Sequence, residues 1–131
     1  MDAVIKALYE DDDTLVIDKP RGFLSEDSEA EASVVRALKA ERGYAFLAPV
    51  NRLDREVSGV MLLAKNQKSA AFYTAALADR ARVKKEYLAV VAGTFPEPEG
   101  ELCDLLFKDS AKNKSFVVSR MRRGVKEARL T

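Results

Sequence analysis

The residues best equipped for chemistry lie together in Asn51-Arg52-Leu53-Asp54-Arg55-Glu56-Val57-Ser58-Gly59, where one carboxylate, Asp54, stands between Arg52 and Arg55. A carboxylate can form a covalent intermediate that splits a difficult displacement into two easier steps. It is ionised at neutral pH from a reference pKa of about 3.9, and an arginine partner reinforces that state. The stretch is too polar for a core strand and too short for a helix. Ser58-Gly59 is turn chemistry, and the apolar run Val60-Met61-Leu62-Leu63-Ala64 follows at once. The pattern predicts a charged loop mounted on the start of a buried strand, where a rigid scaffold can aim side chains at a ligand. The same residues would also suit a solvated surface ion pair, worth under about 1 kcal/mol, so composition alone leaves both readings open.

The rest of the inventory narrows the chemistry. The 131 residues include no histidine and one cysteine, Cys103. Thiolate–imidazole metal sites and Ser-His-Asp or Cys-His catalysis are therefore excluded, leaving carboxylates, Tyr, Lys and Arg to do any work. A single cysteine forms no internal disulfide, which makes a reducing cytoplasm the default compartment. No apolar run approaches the roughly 20 residues of a membrane helix, and the N-terminus lacks the pattern of a signal peptide. At 47% hydrophobic and 33% charged residues, the chain has an ordinary soluble composition within the size of a single domain, 1–131.

The formal net charge of +1 conceals an asymmetry. Residues 1–34 hold ten acids against three bases, net −7, and residues 35–131 hold eleven acids against nineteen bases, net +8. A basic body is compatible with a polyanionic partner such as RNA, and equally with a merely solvated surface.

The elements that must position the charged loop can be read in order. Lys6–Glu10 and Thr14–Asp18 flank Asp11-Asp12-Asp13 and predict a β-hairpin. Lys19-Pro20-Arg21-Gly22 ends the second strand, with Lys19 expected to be a solvated strand-end lysine. Residues 24–33 are polar and acidic and predict a mobile loop. Val34, Val35 and Leu38 recur at helical spacing up to Arg42, with Gly43 as the stop. After the strand at 60–65, Asn66 is a good N-cap for a helix to about Asp79, with Ala70, Phe72, Tyr73, Ala76 and Leu77 expected on its core face. Arg80, Arg82, Lys84 and Lys85 form a basic run, and 85–93 reads as a strand with Tyr87 near its start. A Pro-rich turn at 94–99 precedes short strands at 100–107, 115–119 and 126–131, with basic loops at 108–114 and 120–126. The fold class is α+β, a mixed, largely antiparallel sheet with flanking helices. The alternation running up to Thr131 predicts that the chain is part of a longer domain.

Several motifs in this order resemble the RluA-like family of pseudouridine synthases. They are Leu8-Tyr9-Glu10 with Leu15-Val16-Ile17 and Lys19-Pro20-x-Gly22, then Arg52-Leu53-Asp54-x-x-x-Ser58-Gly59-x-x-Leu62-Leu63-Ala64-Lys65, then Arg82-Val83-x-Lys85-x-Tyr87-x-Ala89-x-Val91. The resemblance runs from about residue 5 to residue 131, the N-terminal portion of the family's catalytic domain. It implies that Asp54 is the nucleophile toward a target uridine in rRNA or tRNA, by attack at the ribose or at the base ring. It implies that Arg52 evicts the nucleotide from its stack, and that Tyr87 stacks on the uracil and takes part in proton transfer. Arg55, Arg82 and Lys85 would contact RNA. No metal or organic cofactor is implied. Asn51 stands where the family often has His, and Val57 where it commonly has Thr. The family's basic motif, whose Arg pairs with the catalytic Asp, would lie beyond Thr131. The alternative of another class is an RNA-binding remnant that keeps the fold without the chemistry.

Overall fold

The computed structural model describes residues 5–131, which fall into two compact units that divide after Tyr87. In the first, β1 (Lys6–Glu10) and β2 (Thr14–Lys19) form the expected hairpin. Its turn is built by Asp11, whose Oδ1 accepts from the amides of Asp13 at 2.9 Å and Thr14 at 2.7 Å. Short Asp side chains favour such local bonds over continued strand, which is why the acidic triplet turns the chain.

Helix α1 (Val34–Arg42) starts where Ser33 Oγ accepts from the Arg36 amide and stops at Gly43, whose φ of 69° suits glycine. The two-residue β3 (Ala48–Pro49) and β4 (Gly59–Ala64) complete an antiparallel sheet of order β1-β2-β4-β3. Against one face packs a core of Leu15, Ile17, Val34, Val35, Leu38, Leu47, Leu53, Met61 and Leu63 with Ile5. One pairing fixes the location of the charged loop. Lys19 at the end of β2 lies opposite Gly59 at the start of β4.

Helix α2 (Gln67–Ala78) is capped by Asn66, as its sequence predicts, but its buried face differs from the expected apolar stripe. Ser69 and Ala76 are buried, Tyr73 hydroxyl meets Thr14 Oγ1 at 2.8 Å, and Phe72 is 56% exposed. Ser69 Oγ donates to the Asp13 carbonyl at 2.9 Å and Asn66 Nδ2 to Asp13 Oδ1 at 2.6 Å. These polar anchors to the hairpin turn rotate Phe72 outward, where it packs edge-on against Tyr73.

The second unit holds β5 (Leu102–Asp109), β6 (Lys114–Val118) and β7 (Val125–Leu130), all antiparallel, in the order β6-β5-β7. The three strands follow the sequence expectation within a residue or two. The strand expected at 85–93 does not form. A strand exists only by its ladder, and no described residue pairs with this segment. Leu88 and Val90 are fully exposed, so its apolar alternation has no face to bury. Among the described residues no helix is long and apolar enough to cross a membrane.

Candidate active site

The loop at 51–58 hangs between β3 and β4 and is tied down from four sides. Leu53 is its apolar anchor, 9% exposed and part of the core, so its neighbours Arg52 and Asp54 face outward. Ser25 braces the same residue from the 24–33 loop. Its Oγ accepts from the Leu53 amide at 3.0 Å and donates to the Leu53 carbonyl at 2.6 Å. Asn51 Oδ1 accepts from the Leu62 amide at 2.7 Å, joining the loop's entry to β4. The loop then tightens through Val57 N–H to the Asp54 carbonyl at 3.0 Å.

The fourth tie is Lys19, which is not the solvated lysine its sequence position suggests. It is the largest fully buried side chain in the described chain. Its Nζ donates to the carbonyls of Pro20 at 3.2 Å, Asp54 at 3.1 Å, Arg55 at 3.3 Å and Val57 at 2.7 Å. An ammonium has three protons for these four acceptors, so the carbonyls form a small cage around one cation. Burial pulls the Lys19 pKa below the usual lysine value, and the negative charges of Glu56 and Asp54 pull it back. The adjoining turn adds two further links. Gly22, at φ 91°, donates its N–H to the Arg55 carbonyl at 2.7 Å, and Arg21 pairs with Glu56 at 2.7 Å. Lys19-Pro20-x-Gly22 is therefore a clamp for the Asp54 loop. The signal was the spacing from buried Ile17 to Lys19, two residues along the same face of β2.

Asp54 itself is exposed, and no side-chain hydrogen bond or ion pair among the described residues engages its carboxylate. The arginines beside it in sequence do not pair with it. Arg52 binds Glu26 at 2.9 Å and Arg55 binds Glu31 at 3.7 Å, both on the 24–33 loop. The acidic loop lies within ion-pairing reach of both guanidiniums. That loop is pinned in place as well. Leu24 N–H donates to the Ala32 carbonyl at 2.8 Å, and Ser33 Oγ donates to the Glu26 carbonyl at 2.5 Å.

Arg52, Asp54 and Arg55 thus share one rigid loop. Among the described residues, no hydrogen bond or ion pair joins Tyr87, Arg82 or Lys85 to it. Tyr87 is 58% exposed in a segment without regular structure, Lys85 is exposed, and Arg82 lies over the Phe72 ring at 5.8 Å.

Residues 13–131 match the RNA pseudouridylate synthase family. The chain is 35% identical over 115 residues to ribosomal large subunit pseudouridine synthase C of Buchnera aphidicola, covering 86% of this chain and 36% of that protein. It is 41% identical over 97 residues to the mitochondrial tRNA pseudouridine(32) synthase of Saccharomyces cerevisiae, covering 72% of this chain and 21% of that protein. Its fold superposes on human RNA pseudouridylate synthase domain containing 1 with a TM-score of 0.76 at 20% identity, over 96% of this chain and 50% of that one. The chain spans between about a fifth and two fifths of the length of the curated relatives it matches.

Proposed function

This chain belongs to the RNA pseudouridylate synthase family, on its RluA-like branch, and from that premise we propose that it isomerises uridine to pseudouridine in structured rRNA or tRNA, with Asp54 as nucleophile. The observation that supports the reading best is the exposed, unpaired Asp54 carboxylate on a loop whose backbone is held by the buried Lys19 ammonium. A nucleophile must be accessible and its position must be fixed before substrate arrives, and this arrangement supplies both.

The reaction breaks the bond from ribose C1′ to N1 of uracil, turns the base, and joins C1′ to C5. The C5 hydrogen leaves to water and N1 gains one, so the product is an isomer. Covalent capture by the carboxylate, by displacement at ribose C1′ or by addition to the ring and later elimination, divides this exchange into easier steps. Lys19 is a positioning residue, because its contacts are to the loop backbone. Arg52 fills the space of the extruded nucleotide and Arg55 contacts phosphate, offsetting the few kcal/mol that flipping costs. Tyr87 stacks on the uracil and assists proton transfer once RNA orders its segment, and Arg82 and Lys85 add phosphate contacts.

RNA labelled with tritium at uridine C5 tests the proposal. The chain should release tritium to water, and Asp54→Asn should slow release by about 10⁴-fold or more while RNA affinity is kept. Release that is independent of Asp54 contradicts the assignment. Tight RNA binding by a folded chain without any release would instead support the RNA-binding remnant, a reading favoured by the exposure of Tyr87 in a segment without regular structure.

A further inference from the structure

The 24–33 loop carries Glu26, Asp27, Glu29 and Glu31 and no base, yet it lies against the arginines that the proposed function assigns to RNA. Its acids are divided between two sets of partners. Asp27 at 4.0 Å and Glu29 at 3.7 Å serve Arg36 of helix α1 within their own corner of the fold. Glu26 and Glu31 reach across to Arg52 and Arg55 on either side of Asp54.

We propose that Glu26 and Glu31 are built-in competitors of RNA, carboxylates that occupy the two loop arginines and must be exchanged for RNA phosphate before the site is engaged. The proposal rests on the reading of Arg52 and Arg55 as RNA contacts. The energetics suit an exchange. Both arginines and both glutamates are about half exposed or more, and such pairs contribute no more than about 1 kcal/mol each. They are strong enough to orient a guanidinium and weak enough to yield to a phosphate. The loop cannot simply drift away, since Ser25 holds Leu53 and Ser33 holds the Glu26 carbonyl. A polyanion approaching Arg52 therefore meets a fixed row of negative charge. Each RNA phosphate that reaches Arg52 or Arg55 must displace a carboxylate to do so. The carboxylates therefore lower affinity for any RNA that uses the two arginines and soften its dependence on salt.

The test is a cycle of fluorescence-anisotropy titrations of the 131-residue chain. The ligands are a uridine-loop RNA hairpin and a uridine-free hairpin of the same length. Glu26→Gln/Glu31→Gln should tighten binding about three- to twentyfold at low salt, by a similar factor on both RNAs, and the gain should shrink as salt rises. The gain should vanish when Arg52→Ala/Arg55→Ala is combined with it. Asp27→Asn/Glu29→Gln, which removes the same charge from the same loop, should give a smaller gain. A gain that persists without the arginines, equals that of the Asp27/Glu29 control, or is absent overturns the proposal. Wild-type affinity in Arg52→Ala/Arg55→Ala overturns the arginine assignment itself, a separate failure.

Discussion

The Asp54 loop and the Tyr87 segment sit about thirty residues apart and carry motifs of similar length, but their physical states are opposite. The loop at 51–58 has no regular structure, yet nearly every backbone carbonyl near its tip is hydrogen-bonded, and Lys19 alone engages three of them. The segment at 85–93 has a strand's sequence and no ladder, with Leu88 and Val90 exposed in full. Rigidity therefore does not follow secondary-structure class. It follows the satisfaction of backbone groups and the burial of an anchor such as Leu53. Under the proposed function, the loop carrying the proposed nucleophile is braced before RNA arrives, and the segment carrying Tyr87 has no ladder of its own.

Removing Lys19 should blur the contrast most. Lys19→Met keeps the length of the side chain but leaves the Pro20, Asp54, Arg55 and Val57 carbonyls without their donor, at a cost of about 2–4 kcal/mol measured by denaturant unfolding. An unchanged midpoint would mean that the cage is decorative. A comparable loss of about 2–5 kcal/mol is expected from Leu63→Ala in the core, whereas Val90→Ala in the exposed segment should stay within about 0.5 kcal/mol. A large effect at Val90 would show that the segment is packed in solution.

Ser25→Ala removes both bonds to Leu53 and should destabilise by about 1–2 kcal/mol, with the Leu53 amide losing protection first. The smallest effect concerns pH. Hydrogen bonds from Tyr44 and Lys65 hold the Glu10 carboxylate below its ordinary pKa. That contribution is present above the unfolded pKa and is lost as pH falls through the folded one, so stability should decline slightly below the normal glutamate range. Glu10→Gln should flatten this part of the profile.

Much of this was legible in the residues. The hairpin, the caps Asn66 and Gly43, the α1 face and the three C-terminal strands follow from turn chemistry and periodicity, which are local. So does the placement of Asp54 in a loop at the head of β4. What escaped was non-local. Lys19 looks solvated until β2 and β4 pair and put Gly59 opposite it. Arg52 and Arg55 look like partners of Asp54 until the 24–33 loop folds back with Glu26 and Glu31. Phe72 reads as core until Ser69 and Asn66 anchor α2 to the Asp13 turn. The 85–93 strand failed for the converse reason, since β propensity is a preference for a pleated neighbour and none is provided.

Amide hydrogen exchange on the wild-type chain tests the contrast most directly. The Gly22, Leu53 and Val57 amides, each hydrogen-bonded within the Asp54 loop or to its braces, should exchange with protection close to that of β2. The amides of 88–92 should exchange near the unfolded rate. Loop amides as unprotected as those of 88–92 would contradict a preformed Asp54 loop held by Lys19.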